Sequence, residues 1–269
     1  MIIDTHTHVC DEKVWKEYRN KSKKLISKVI ALPDIENKLG IGKEISELLE
    51  FSKNFPSVIP AGCVDMEKNI PLQIKFHEKL FSDKKICAIK LYPGYQSFYP
   101  SDKKVFPVAK LCRKHKKPLI FHSGDFYDPK NKSLLKYSHP TYIDELAVRF
   151  PDTTIIIAHF GFPYFIETAN IVSKNPNVYT DVSGTIDNWG ISEKVIGNLT
   201  DQYITDLKRA LNYYPDIKNK VMFGSDFGGE DTDLNLVLPY IKVIKSIFNK
   251  KEQKNAFHGL AEKLFLNDL

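Results

Sequence analysis

His6 and His8 stand two residues apart in Ile2-Ile3-Asp4-Thr5-His6-Thr7-His8, directly after an apolar start. In an extended strand, residues i and i+2 point to one face with Cα atoms roughly 6.6 Å apart. Two imidazoles so placed can converge on one cation at the strand's end. Asp4 is expected on that face too, one step deeper, within hydrogen-bonding reach of a ligand imidazole. Further along, Lys90, His122, His159 and Asp226 each interrupt or follow an apolar run, with a glycine or a turn shortly after. Apart from Lys90, these are metal-ligating types. A single buried histidine is usually a satisfied core residue. Four histidines at corresponding places after apolar runs point instead to a bound divalent metal.

Such residues need a scaffold that brings them to one place. Short β-branched runs alternate with amphipathic stretches along the chain, the pattern of a parallel sheet joined by crossover helices. Strands are expected over 2–6, 28–32, 58–64, 86–92, 118–122, 153–159, 177–181 and 220–226. Several are apolar throughout, notably Thr154-Ile155-Ile156-Ile157-Ala158, as befits strands covered on both faces. Helical periodicity appears over 44–54, 71–81, 104–116, 142–150, 164–174, 202–214, 234–249 and 251–265. Pro56, Pro151, Pro176 and Pro215 fall between a helix and the next strand, where proline ends helices. Eight such units in 269 residues predict one closed (β/α)8 TIM barrel spanning 1–269. An open doubly wound sheet is disfavoured, because no Gly-rich phosphate loop follows the first strand. In a barrel, functional residues gather at the C-terminal ends of the strands, which is where all six residues fall.

Composition narrows the function classes. Hydrophobic residues make up 42% and charged residues 27%, ordinary for a soluble globular chain. No apolar run is long enough to span a bilayer, and the N-terminus lacks a signal-peptide pattern. Cys10, Cys63, Cys87 and Cys112 form neither a CxxC pair nor a disulfide framework, so a cytoplasmic location is expected. The net charge of +6 reflects lysine clusters such as Lys21-Ser22-Lys23-Lys24 and Arg113-Lys114-His115-Lys116-Lys117. Neither cluster is interleaved with aromatics, and the second suits a helix C-terminus. They read as solvated surface rather than a nucleic-acid site.

Taken together, His6-Thr7-His8, Ala88-Ile89-Lys90-Leu91-Tyr92-Pro93, Phe121-His122-Ser123-Gly124, Ile157-Ala158-His159-Phe160-Gly161 and Gly224-Ser225-Asp226 resemble the metal strands of the amidohydrolase superfamily. The pattern is most similar to the amidohydrolase-related branch, which holds hydrolases, non-oxidative decarboxylases and hydratases. Asn255-Ala256-Phe257-His258-Gly259 resembles the family's closing helix, so the resemblance covers nearly the whole chain. It implies that His6, His8 and His122 ligate a divalent ion, most often zinc, with Asp226 as ligand or base beside it. It implies that His159 ligates a second metal or, in a one-metal enzyme, acts on the substrate as acid or electrophile. Lys90 has two readings: a carboxylated lysine bridging two metals, as in dihydroorotase, or a contact to a substrate carboxylate.

The activity implied is hydrolysis of an amide, lactone or ester bond in a small molecule. The alternative on the same metal is decarboxylation or hydration of an aromatic or unsaturated acid. A TatD-type deoxyribonuclease fits less well, since that group usually carries glutamate at the place of Lys90 and threonine at that of Ser225. A non-catalytic metal-binding barrel is the reading from a different class. Substrate contacts are expected from Lys90 and Tyr92, with Tyr95 and Phe98 nearby, and from Asp125, Phe126, Tyr127 and His139 in the long loop over 123–141. Asp65 is a further carboxylate able to reach the pocket, and Asp181-Val182-Ser183-Gly184 is expected to add polar contacts. Trp189 is expected to cover the core, and His77, His115 and His258 fall on the outer ring without assigned chemistry. A homodimer is compatible with the resemblance, many relatives being dimers.

Overall fold

The protein is described by a computed structural model covering residues 1–9, 11–22, 25–35, 40, 42–126, 132–186, 192–228 and 237–267. Cys10, Lys23, Lys24, Tyr127 and Trp189, singled out above, lie outside the described residues. Among the described residues, nine strand segments run in order: β1 (Ile2–Thr7), β2 (Ile26–Ala31), β3 (Val58–Pro60), β4 (Gly62–Cys63), β5 (Ile89–Leu91), β6 (Leu119–Phe121), β7 (Ile155–Ile157), β8 (Val178–Asp181) and β9 (Val221–Met222). Every neighbouring pair is parallel.

β3 and β4 are two halves of one barrel strand. β3 pairs with β2, whereas β4 pairs with β5. The change of partner falls at Pro60-Ala61, where proline has no N–H to give to a ladder. Around it, Ala61 N donates back to Ala31 O at 2.9 Å and Gly62 N forward to Ala88 O at 2.8 Å. The seam between the last strand and the first is closed by backbone bonds from Thr5 N to Phe223 O (3.1 Å), Asp226 N to His6 O (2.8 Å) and His8 N to Phe227 O (2.6 Å). Eight strand positions thus close into a (β/α)8 barrel, as the alternation of the sequence predicts.

Side-chain alternation sorts each strand into two layers. Ile89, Leu91, Leu119, Phe121, Ile155 and Ile157 pack outward into the core shared with the helices. Ile3, Ile30, Ala88, Ile120, Ile156 and Met222 fill the interior together with Leu260, Ala261, Leu264 and Phe265 from the C-terminal helix. Continuing the inward parity up the strands gives Lys90 above Ala88 and His122 above Ile120. An apolar plug below and a polar ring above follow from the same alternation.

The outer layer comprises α1 (Glu12–Ser22), α2 (Ile45–Asn54), α3 (Ile70–Ser82), α4 (Phe106–His115), α5 (Leu135–Ser138), α6 (Thr141–Arg149), α7 (Phe165–Lys174), α8 (Glu193–Tyr213), α9 (Val237–Ile247) and α10 (Lys250–Lys254), the last continuing through π-helical turns to Leu266. Two departures from expectation have local causes. α1 is charged nearly all round, so its apolar period is weak, yet it buries Trp15 and Tyr18. Asp11 starts it by accepting from Lys13 N at 2.7 Å and Val14 N at 3.0 Å. α8 begins at Glu193 rather than 202, because its first turns leave Val195 and Leu199 partly exposed and show no buried stripe. Among the described residues, no helix is long and apolar enough to cross a membrane.

Candidate functional site

The polar ring at the C-terminal mouth brings five strands to one place. The Oδ1 atom of Asp226 stands 3.3 Å from His6 Nε2 and 3.4 Å from His8 Nε2. A tetrahedral ion with ligands at about 2.0–2.1 Å has donor–donor edges of roughly 3.3–3.4 Å. Two of the three donor–donor edges therefore match those around one ion, and all three donor atoms lie within 4.8 Å of one another. Asp226 Oδ1 is buried and accepts no hydrogen bond, so its lone pairs are free for a ligand. The other ring nitrogens are occupied: His6 Nδ1 faces Asp181 Oδ2 at 3.1 Å and His8 Nδ1 faces Leu32 O at 3.1 Å. Both rings donate N–H there, which leaves each Nε2 with its lone pair toward Asp226, that of His6 being also within 3.3 Å of Lys90 Nζ. The donor set fits a divalent cation.

Asp4 does not serve the imidazoles as the strand pattern predicts. Between Asp4 and Thr7, β1 advances three residues while β2 advances from Val29 to Ala31, and this bulge separates Asp4 from the face of the histidines. Its carboxyl accepts from His6 N (3.3 Å), Ser225 N (3.0 Å), Ser225 Oγ (2.5 Å) and Tyr18 Oη (3.4 Å). Asp4 is thus a clasp across the barrel seam and onto α1. Burial pushes its carboxyl up to about 7, against the pull of those donors.

His159 reaches the mouth by a different route. β7 ends at Ile157, Ala158 still points into the interior, and strand parity would send His159 outward. Instead His159 and Phe160 take left-handed conformations, with φ of 61° and 47°, which swing the imidazole back over the opening. Asp226 is also left-handed, at φ 58°. Such backbone costs of order 1–3 kcal/mol per residue and concentrates at functional sites. His159 Nε2 meets His122 Nδ1 at 3.2 Å, and its Nδ1 lies 3.0 Å from Ser183 Oγ and 3.9 Å from Asp226 Oδ2. His122 Nε2 is buried without a hydrogen-bond partner.

Lys90 is fully buried, with Nζ 3.3 Å from His6 Nε2 and over the Tyr92 ring. Burial lowers its ammonium to about 8, with Asp226 and Asp181 opposing. Burial also lowers His6 and His122 and brings His159 down to about 3, so all three rings are neutral at pH 7. Burial raises Asp226, and positive charge on the facing His6, His159 and His8 rings, or on a cation held between them, pulls it well below its usual range. The mouth therefore presents neutral imidazoles, the Asp226 carboxylate with that of Asp181 behind His6, and one ammonium.

On the substrate side, Tyr92 is buried with Oη donating to Pro33 O at 2.7 Å. Tyr95 packs edge-on to His122, and Phe126 stacks on the same imidazole with ring centroids 5.2 Å apart. Phe98 is core. Asp125 is exposed and caps Phe126 N at 2.8 Å. His139 lies against Tyr164, its Nδ1 accepting from Thr141 N at 3.3 Å. Asp65 accepts from Glu67 N and the Gln96 side chain, bracing the loop after β4. His77 and His115 sit in the helical layer, the former bonded to Gln73 O and the latter to Glu78. Asp181, expected only to add polar contacts, has a more specific place: its carboxylate joins His6 to the His159 turn. Its only mark in the sequence is its place at the end of an apolar strand.

Fold and mouth together define a (β/α)8 barrel with a candidate metal centre at the C-terminal ends of its strands. The chain belongs to the amidohydrolase family, whose model matches residues 48–265. No curated protein matches the sequence. Solved structures that share the fold include the following three. An amidohydrolase from Burkholderia multivorans with bound zinc is 14% identical, with TM-score 0.68 over 99% of each chain. A probable 2-pyrone-4,6-dicarboxylic acid hydrolase from Acinetobacter baumannii is 13% identical, with TM-score 0.66 over 98% of each. A 5-carboxyvanillate decarboxylase from Sphingomonas paucimobilis is 12% identical, also with TM-score 0.66 over 98% of each. Hydrolases and decarboxylases thus occur on this one architecture.

Proposed function

We propose that the protein is a single-domain, metal-dependent hydrolase that cleaves an amide, lactone or ester bond in a small carboxylated molecule. One observation carries this reading: Asp226 Oδ1, buried and accepting no hydrogen bond, faces His6 Nε2 and His8 Nε2 at 3.3 and 3.4 Å. His6, His8 and Asp226 would hold one divalent ion; His122 stands outside that group, and its buried, unpartnered Nε2 would join as a fourth ligand only by moving toward it, and zinc suits the nitrogen-rich donor set. When bound, such an ion polarises a carbonyl and acidifies water. A second possible donor group, His6, His159 and Asp181, shares His6 with the first. Because Asp181 already engages His6 Nδ1, one ion rather than two is favoured, and Lys90 acts as an ammonium rather than a carboxylated bridge.

The remaining steps belong to the chain's own groups. Lys90 pairs with a substrate carboxylate, fixing the reacting carbonyl over the mouth. Asp226 is ionised, so its Oδ2 takes the proton of the attacking water and returns it to the leaving nitrogen or oxygen as that bond breaks. His159, neutral, gives its one N–H to Ser183 Oγ and accepts at Nε2 from His122 Nδ1, which keeps the His122 proton on Nδ1 and its Nε2 free to ligate. Tyr92, Tyr95 and Phe126 wall the pocket and limit water. Asp125 and His139 would contact substrate only at the outer rim.

The test is metal analysis of protein reconstituted with zinc, followed by a screen of carboxylated lactones, amides and esters in 18O-water. One ion per chain, lost in Asp226→Asn, and 18O in the product are expected. A wild-type chain that binds no divalent ion would end this reading. Decarboxylation is the second reading, favoured by Lys90: among the described residues, no carboxylate lies within ion-pair distance of its buried ammonium. CO2 release without 18O uptake would select it.

A further inference from the structure

Asp181 lies at the end of β8, 1% exposed, and each of its oxygens has a different task. Oδ2 receives His6 Nδ1 at 3.1 Å. Oδ1 receives three donors: His159 N at 3.0 Å, Ser183 N at 3.0 Å and Ser183 Oγ at 2.5 Å. The His159 amide is the one at the start of the left-handed turn that carries that ring over the mouth. Ser183 Oγ in turn stands 3.0 Å from His159 Nδ1. One carboxylate therefore touches a ring of the metal-binding group and the backbone of the neighbouring imidazole's turn.

The geometry points to Asp181 as the positioning residue of the centre, setting the tautomer of His6 so that Nε2 is free to ligate and pinning the turn that presents His159. The inference rests on the metal-site reading above. It gives the second donor group, His6, His159 and Asp181, a task other than holding an ion. A neutral imidazole carries one proton. A carboxylate at Nδ1 accepts that proton's hydrogen bond and raises the basicity of Nε2. Without it, nothing on that side selects the productive tautomer.

Asp181→Asn separates this role from mere filling of space. The three donors at Oδ1 hold the amide oxygen there, so the amide NH2 must face His6. Two donors cannot share that contact; moving the His6 proton to Nε2 relieves the clash, displaces Lys90 Nζ from its 3.3 Å approach to that nitrogen and blocks ligation. Zinc affinity, read by competition with a chromophoric chelator, is expected to fall about 10–100-fold. Ser183→Ala removes one donor at Oδ1 and leaves the His6 contact, so its zinc affinity is expected to change by less than about threefold. Ring 15N shifts report the tautomer directly in metal-free wild type, with His6 assigned by its loss in His6→Gln. Protonation at Nδ1 is expected there, and at Nε2 in Asp181→Asn.

The outcomes separate the two claims. A wild type that binds no zinc removes the metal-site reading itself. A wild type that binds zinc while Asp181→Asn binds it equally overturns the role of Asp181 alone. So does wild-type His6 protonated at Nε2, a result that does not depend on any Asp181 variant folding. A Ser183→Ala loss equal to that of Asp181→Asn would likewise place the effect on the Oδ1 side and overturn the tautomer argument.

Discussion

Gly184→Ala places a single methyl group between the two residues at the centre of the proposed chemistry. Gly184 has φ 68°, and a Cβ built on it would lie 2.2 Å from His159 Nδ1, 2.8 Å from His159 Cε1 and 2.9 Å from Asp226 Oδ2. Left-handed backbone costs a non-glycine residue roughly 1–2 kcal/mol. Forcing a methyl into a packed site adds roughly 1–3 kcal/mol. A total of about 2–5 kcal/mol is expected if the fold yields only locally. For 269 residues the unfolding entropy is about 0.56 kcal/mol/K, so Tm should fall by about 4–9 °C. The methyl also displaces His159 from Ser183 Oγ and pushes on the Asp226 carboxylate. Zinc affinity should therefore fall in the still-folded variant. Calorimetry on metal-free protein measures the first effect, and chelator competition at 25 °C the second. A variant that melts within about 1 °C of wild type and binds zinc normally would refute the close approach of these three residues and the site built on it.

Burial pushes the Cys87 thiol up to about 12 and raises Cys112 further, and neither side chain is exposed. Both should resist iodoacetamide at pH 8 in the native protein and react fully in urea, as peptide mapping would show; ready native labelling would contradict the closed sheet. His77 is buried against Gly62 with Nδ1 on Gln73 O, and burial lowers its pKa from the ordinary 6.5. The unfolded chain takes up a proton there more readily than the folded chain as pH falls below about 6.5, so His77 favours the native state above that pH and loses its contribution below. His77→Leu should lessen the fall in Tm between pH 7.5 and 5.5, by at most about 2–3 °C, the limit set by one whole proton at about 1.4 kcal/mol per pH unit. Parallel curves for variant and wild type would count against it.

Much of the scaffold is legible in the chain because burial on two faces demands apolar strands. Ile155-Ile156-Ile157 reads as a barrel strand without knowledge of its neighbours, and the prolines before strands mark where helices stop. The polar ring is legible for the same reason: Lys90 and His122 sit at strand ends on the inward parity of Ala88 and Ile120, where an apolar residue would otherwise be expected. Local readings fail where direction depends on partners far along the chain. α1 hides behind its charges, since only the packing of Trp15 and Tyr18 shows that it has a buried side.

Strand parity also misplaces Asp4, because a bulge set by pairing with β2 turns it away from His6 and toward Ser225, 221 positions later. Parity would turn His159 outward, and a left-handed turn reverses it. Asp181 looks in sequence like any polar strand end, and its carboxylate acquires meaning only from His6, 175 residues away. Residue chemistry and period are local properties, so the barrel and the ring of ligand-type side chains can be read from one dimension. The aim of a side chain and the tautomer of a ring depend on hydrogen bonds across the barrel, and those exist only once it has closed.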